Sequence, residues 1–182
     1  MIAYLVLILA AASRLVPHAL HGTGMNFTAV GAGLLFFGSR RPRWQSLAAV
    51  AILAATDFYL TRFVYGFPFV VRGYLVTWAW YAAVAILACS LLRKVTVLRV
   101  AAGVFASATS FFLLSNLVVW IGSGMYPHSL SGLTVCYAAA LPFYANDLVS
   151  TSLLSAALFG LPVLAAKLAE ATRSAHHNQP LT

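Results

Sequence analysis

The side chains of this chain that could do chemistry are few, and they fall in four short stretches. RLVPHALHGTGMNF carries Arg14, His18, His21 and Asn26, and AATDFYL carries Asp57. LLSNLVVW holds Ser115, Asn116 and Trp120, while MYPHSLSGLTVCYAAALPFYAND holds Tyr126, His128, Cys136, Tyr137, Tyr144, Asn146 and Asp147. Together these types offer a few oriented hydrogen-bonding groups, one or two charges and several aromatic faces, the set that orients a small molecule in a pocket. They do not offer a reaction. The sequence has no GxSxG, phosphate loop, Ser/Lys pair or paired aspartates, so no nucleophile with its base is in view. The chain is not expected to be an enzyme, no catalytic residue is assigned, and the cofactor is left unknown.

His18 and His21 have H-x2-H spacing, and His128 could complete a three-histidine metal site. Against this, Pro17 and Gly22 break the regular helical face the pair would need, and no carboxylate stands at a fixed spacing from the histidines. A membrane metalloprotein or enzyme built on His18, His21, His128 and Asp57 is the rival reading, and an assembly subunit with no ligand is a third. Asp57 sits inside an apolar segment, where an acid costs a few kcal/mol unless it is paired or faces water. Arg14, Arg62 and Arg72 are its candidate partners. The carboxylate either locks helices together or lines a cavity and touches a ligand, and both readings stay open. Asn116 shares a helical face with Phe112 and Trp120, four residues away on either side.

Composition says what must position these groups. Of 182 residues, 62% are hydrophobic and 8% charged, which marks an integral membrane protein. Each crossing takes about 20 residues, so the chain has room for six crossings in one domain. The apolar segments are Ile2–Pro17, Thr28–Ser39, Ser46–Val64, Gly73–Leu92, Val100–Gly122 and Leu148–Ala169. All read as helices, since barrel strands would alternate polar and apolar residues over about ten positions. The formal net charge of +8 reflects topology and not nucleic-acid binding, because no basic stripe accompanies aromatic readers or a zinc pattern. Eight of the eleven Lys and Arg residues form three clusters: Arg40, Arg41 and Arg43; Arg93, Lys94 and Arg99; Lys167 and Arg173. A cytoplasmic amino terminus puts all three inside. The expected protein is thus multi-pass in the cytoplasmic (inner) membrane with both termini cytoplasmic. Residues 1–170 make one transmembrane helical domain and 171–182 a disordered cytoplasmic tail. This orientation gathers the polar stretches at one outer mouth.

Several finer expectations follow from the same reading. Leu133–Tyr144 is short and contains Pro142, which suggests a short extra helix or re-entrant piece before the last span. Thr28–Ser39 is also short, and its Gly31 and Gly33 suggest close helix packing. Tyr74, Trp78 and Trp80 read as interfacial belt residues. Cys89 and Cys136 fall at opposite ends and should not pair. The first apolar segment lacks a preceding basic residue and is expected to remain as a helix and not be cleaved as a signal peptide.

The stretches RLVPHALHGTGMNFTAVGAGLLFFG, SFFLLSNLVVW, MYPHSLSGLTVCYAAALPFYANDL and ALFG resemble an uncharacterised family of small bacterial membrane proteins. That family is similar to the six-helix substrate-binding (S) components of energy-coupling-factor transporters. The resemblance implies an all-α, S-component-like bundle that captures a vitamin- or metal-related nutrient from the outer side. Arg14, His18, Asn26, Asp57, Ser115, Asn116, Trp120, Tyr126 and Tyr137 are the candidate substrate-binding residues. The implied partners are a small-molecule substrate, the lipid bilayer, and a transmembrane coupling subunit with its ATPases. Two departures, the longer HALHGTG stretch and Ala29 in place of a proline, imply a first loop of different shape. The first helix also lacks the alanine repeat on which coupling subunits dock.

Overall fold

The computed structural model describes residues 1–15 and 27–177, with side chains described as far as Arg173. The described residues form six α-helices and no strand: α1 Ile2–Ala12, α2 Val30–Arg40, α3 Ser46–Tyr59, α4 Leu75–Leu91, α5 Val97–Gly122 and α6 Leu130–His177. Each of the six apolar segments contributes to one of them. A wider π-type turn over Leu60–Val64 prolongs α3. Three helical stretches are long and apolar enough to cross a membrane: Arg43–Val64, Val97–Gly122 and Leu130–Arg173. The remaining helices are shorter than a full crossing, α2 having only 11 residues, or about 16 Å at 1.5 Å per residue.

The short α2 is the centre of the bundle. It packs chiefly on α4, α1 and α6, and every residue from Val30 to Gly38 is buried. The sequence VGAGLLFFG allows this because its glycines let neighbouring backbones approach. A Cβ at Gly33 would come within 2.5 Å of the Ala10 Cβ, and one at Gly38 would collide with the carbonyl oxygen of Ala85. On the other faces, Leu34, Leu35, Phe36 and Phe37 fill the core with Leu7, Leu53, Tyr81, Val84 and Phe159. A helix surrounded by helices needs no polar face, which is why this segment is apolar all round.

One expectation is corrected here. Leu133–Tyr144 is neither a separate short helix nor a re-entrant piece; it is the first part of the 48-residue α6, which contains both Pro142 and Pro162. A proline removes one backbone donor and crowds the carbonyl four residues earlier, but helix-forming neighbours such as AAAL and FYAN let the helix continue past it. In an apolar setting the backbone groups have no better partner than the helix itself. At about 72 Å, α6 is more than twice the roughly 30 Å of a hydrocarbon core. Its helical path also passes residue 170 and runs on to His177.

The first two basic clusters meet at one end of the bundle. Arg41 lies over the Tyr4 ring, its guanidinium carbon 4.9 Å from the centroid. Arg43 donates to the Ser90 hydroxyl at 2.9 Å. Arg99 donates to the Leu91 carbonyl at 3.3 Å, satisfying the C-terminus of α4 as a cation does well. Thr96 caps α5 by accepting from the Arg99 backbone N–H. At the opposite end, Gly124 turns the chain out of α5 with φ +69°, a conformation that a Cβ disfavours.

Candidate functional site

Polar side chains collect in two places within this frame. The first is Asp57, which is 1% exposed and lies between α1, α3 and α4. Arg14, in the 3-10 turn Ser13–Leu15 that ends α1, donates from Nη2 to Asp57 Oδ1 at 2.5 Å. Trp78 donates its indole N–H to Asp57 Oδ2 at 2.9 Å, and the Tyr81 hydroxyl donates to Oδ1 at 3.4 Å. Trp78 and Tyr81 are three residues apart on α4 and so share a face. A buried carboxylate is tolerable only with this kind of provision, one cation and further hydrogen bonds on its remaining lone pairs. Above it, the Thr61 and Tyr74 hydroxyls bond at 2.5 Å, and Tyr74 stacks with Phe69 at 4.8 Å. Trp78, Trp80 and Tyr74 were expected in an interfacial belt. Trp78 instead serves Asp57, and Trp80 is buried, its indole N–H on the Ser110 hydroxyl at 2.9 Å.

The second place lies between α5 and α6. A cavity of about 80 Å³ is lined by Phe111, Phe112, Ser115, Asn116, Ala140, Phe143, Tyr144 and Asp147. The Asn116 amide nitrogen donates to the Phe112 carbonyl at 2.7 Å. The Tyr144 hydroxyl is bonded to Thr109 at 2.9 Å, and its ring lies 4.8 Å from that of Phe112. Asp147 is partly buried, and the one hydrogen bond to its carboxylate among the described residues is from the Thr151 hydroxyl at 3.5 Å. Thr151 is packed so tightly on Gly31 that a Cβ there would come within 2.7 Å of its hydroxyl. Ser107 and Ser155 continue this buried polar seam, each with a hydroxyl that has no partner among the described residues. The two places share an aromatic wall: Tyr81 touches Trp80 at 5.8 Å, and Trp80 touches Phe111 at 4.7 Å.

The sequence-derived candidates therefore divide. Arg14 and Asp57 come together, as do Ser115 and Asn116. Tyr137 is beside the second group but its hydroxyl donates to the Leu113 carbonyl at 2.7 Å, and its ring packs edge-on to Phe112. Trp120 is turned away, its indole N–H on the Pro127 carbonyl and its ring 5.4 Å from that of His128. Tyr126 is half-buried in the connection after α5. His18, His21 and Asn26 fall within residues 16–26, outside the described residues. Among the described residues no group of three His, Cys, Asp or Glu side chains could hold a metal ion. Cys89 and Cys136 are both free. Sequence reasoning missed Trp78, Tyr81, Tyr144 and Asp147 as site residues. The signal for the first two was the unmet need of Asp57 for uncharged donors as well as a cation.

A larger groove of about 920 Å³ opens between α5 and α6 toward the basic end, where Val97, Val100, Val104, Phe159 and Leu164 line it and Lys167 stands at its edge. Its lining is almost wholly apolar and offers little to orient a polar ligand.

A model described as "Family of unknown function (DUF6580)" matches residues 1–174 of the chain. No curated protein and no solved structure matches it.

Proposed function

The chain belongs to this family of unknown function, so its activity must be read from the site itself, and we propose that it is a membrane-embedded substrate-binding protein that takes up a small nutrient. The observation that carries the reading is the α5/α6 cavity, where Ser115 and Asn116 meet aromatic faces and the carboxylate of Asp147. A few convergent polar groups on an apolar and aromatic wall are the make-up of a ligand pocket, and at about 80 Å³ this one has room for the head of a ligand, not the whole of it. The resemblance to S components of energy-coupling-factor transporters supports the same reading, with a coupling subunit and ATPases supplying the energy.

In this proposal the protein crosses the cytoplasmic membrane six times, with both termini and the basic end of the bundle inside. Pro142 and Pro162 stand 20 residues apart on α6, about 30 Å along a helix. That length is one crossing, so the segment between the prolines spans the bilayer and the ends of α6 lie outside it. The cavity then opens in the outer half of the bundle, and the Asp57 cluster holds α1, α3 and α4 in place around it.

Native mass spectrometry of the detergent-solubilised protein tests the function. A small-molecule adduct is expected in the wild type and is lost on Asn116→Leu. A protein that never carries an adduct from cell extract or medium, with Asn116→Leu indistinguishable from it, would refute the proposal. Thiol labelling of Ser123→Cys in whole cells tests the orientation, with reaction expected from the outside.

A further inference from the structure

The free groups around the α5/α6 cavity can all accept and one of them is a carboxylate, and we infer that the cavity binds a small organic cation through its ammonium group. This names the substrate class of the site proposed above and rests on that reading.

Asn116 settles its own orientation. Only an amide nitrogen can donate to the Phe112 carbonyl, so Oδ1 is the end left over, and it is an acceptor. The Ser115 hydroxyl has no bond to a described residue, and it can accept as readily as donate. Asp147 carries a carboxylate that no Lys, Arg or His among the described residues pairs with, the one ion pair there being Arg14 with Asp57. Four of the eight lining residues are Phe111, Phe112, Phe143 and Tyr144, whose ring faces are the negative end of a quadrupole. A carboxylate, an amide oxygen and aromatic faces together attract a cation. An anionic ligand would be repelled by the Asp147 carboxylate, which lines the same cavity. A neutral ligand would leave the carboxylate uncompensated.

Size narrows the class further. The cavity is small, about 80 Å³, so it takes a compact ammonium head, and the rest of a larger ligand must extend beyond it. A bare metal ion would use the oxygens but gain little from four rings, whereas alkylammonium carbons pack on them.

Isothermal titration calorimetry of the full chain in lipid nanodiscs, at constant ionic strength, tests the inference with methylammonium, ethylammonium, sodium, acetate and neutral acetamide. Methylammonium and ethylammonium are expected to bind. Asp147→Asn should weaken them at least tenfold and Phe112→Leu severalfold, while both variants stay monodisperse. Asn116→Leu gives an independent check should Asp147→Asn misfold. Binding of sodium alone, or amine binding unchanged in Asp147→Asn and Asn116→Leu, would overturn the cation site. Binding of acetamide or acetate in place of the amines would overturn it too, yet leave a ligand pocket standing. Amine binding that depends on Asp147 in a protein that carries no nutrient would instead remove the transport reading and keep the cation site.

Discussion

Asp57 and Asp147 are two carboxylates in the same apolar bundle, and the structure treats them in opposite ways. Asp57 is 1% exposed and receives a guanidinium, an indole N–H and a phenol hydroxyl. Asp147 is only partly buried and, among the described residues, has one long hydrogen bond from Thr151. A buried carboxylate that its own protein supplies with a cation and two further donors ties together the helices that carry them. A carboxylate beside a cavity, with no cation of its own among the described residues, is the one to which the proposal assigns a ligand. Charge in an apolar segment is therefore a poor guide to ligand binding until its partners are counted.

Substitutions can break this contrast at either end. The largest effect is expected from Asp57→Ala, which strands the Arg14 charge and should lower unfolding stability by about 3–5 kcal/mol, measured by denaturant titration in micelles. The double variant Arg14→Met with Asp57→Leu should lose less than Asp57→Ala alone, because it leaves no orphaned charge. Trp78→Phe removes one bond to a charged acceptor and should cost about 1.5–3 kcal/mol. Gly38→Val, by pushing α2 from α4 at the Ala85 carbonyl, should cost about 1–3 kcal/mol or more through overpacking, read from the same titration. Tyr81→Phe removes a bond of 3.4 Å and should cost about 0.5–1.5 kcal/mol. Asp147→Asn should be the mildest, under about 1 kcal/mol, since no cation depends on it.

Much of the bundle was legible in the sequence because apolar length and charge clustering are physical requirements of a membrane setting. The segments containing α1 to α5 fell within a few residues of their observed bounds, and the first two basic clusters did meet at one end. Gly31 and Gly33 were correctly marked for close packing. Pro142 misled, because a proline stops a helix only where the backbone has somewhere better to go, and here AAAL and FYAN on either side favour continuing. The site was less legible for a related reason. Arg14 could be named as a partner of Asp57 from charge alone, but the donors Trp78 and Tyr81 are ordinary aromatic residues until α4 is set beside α3. Asn116 was visible from its spacing to Phe112. Asp147 drew no assignment as a binding residue because the stretch around it was read as a connection, and only its place on α6 puts it opposite Asn116.

The contrast between the two carboxylates is tested most directly by thermal unfolding of Asp57→Asn and Asp147→Asn, each with and without methylammonium. The account predicts that Asp57→Asn melts well below the wild type but is still stabilised by the amine. Asp147→Asn should melt close to the wild type and gain nothing from it. Loss of the amine response in Asp57→Asn, with the response intact in Asp147→Asn, would contradict it.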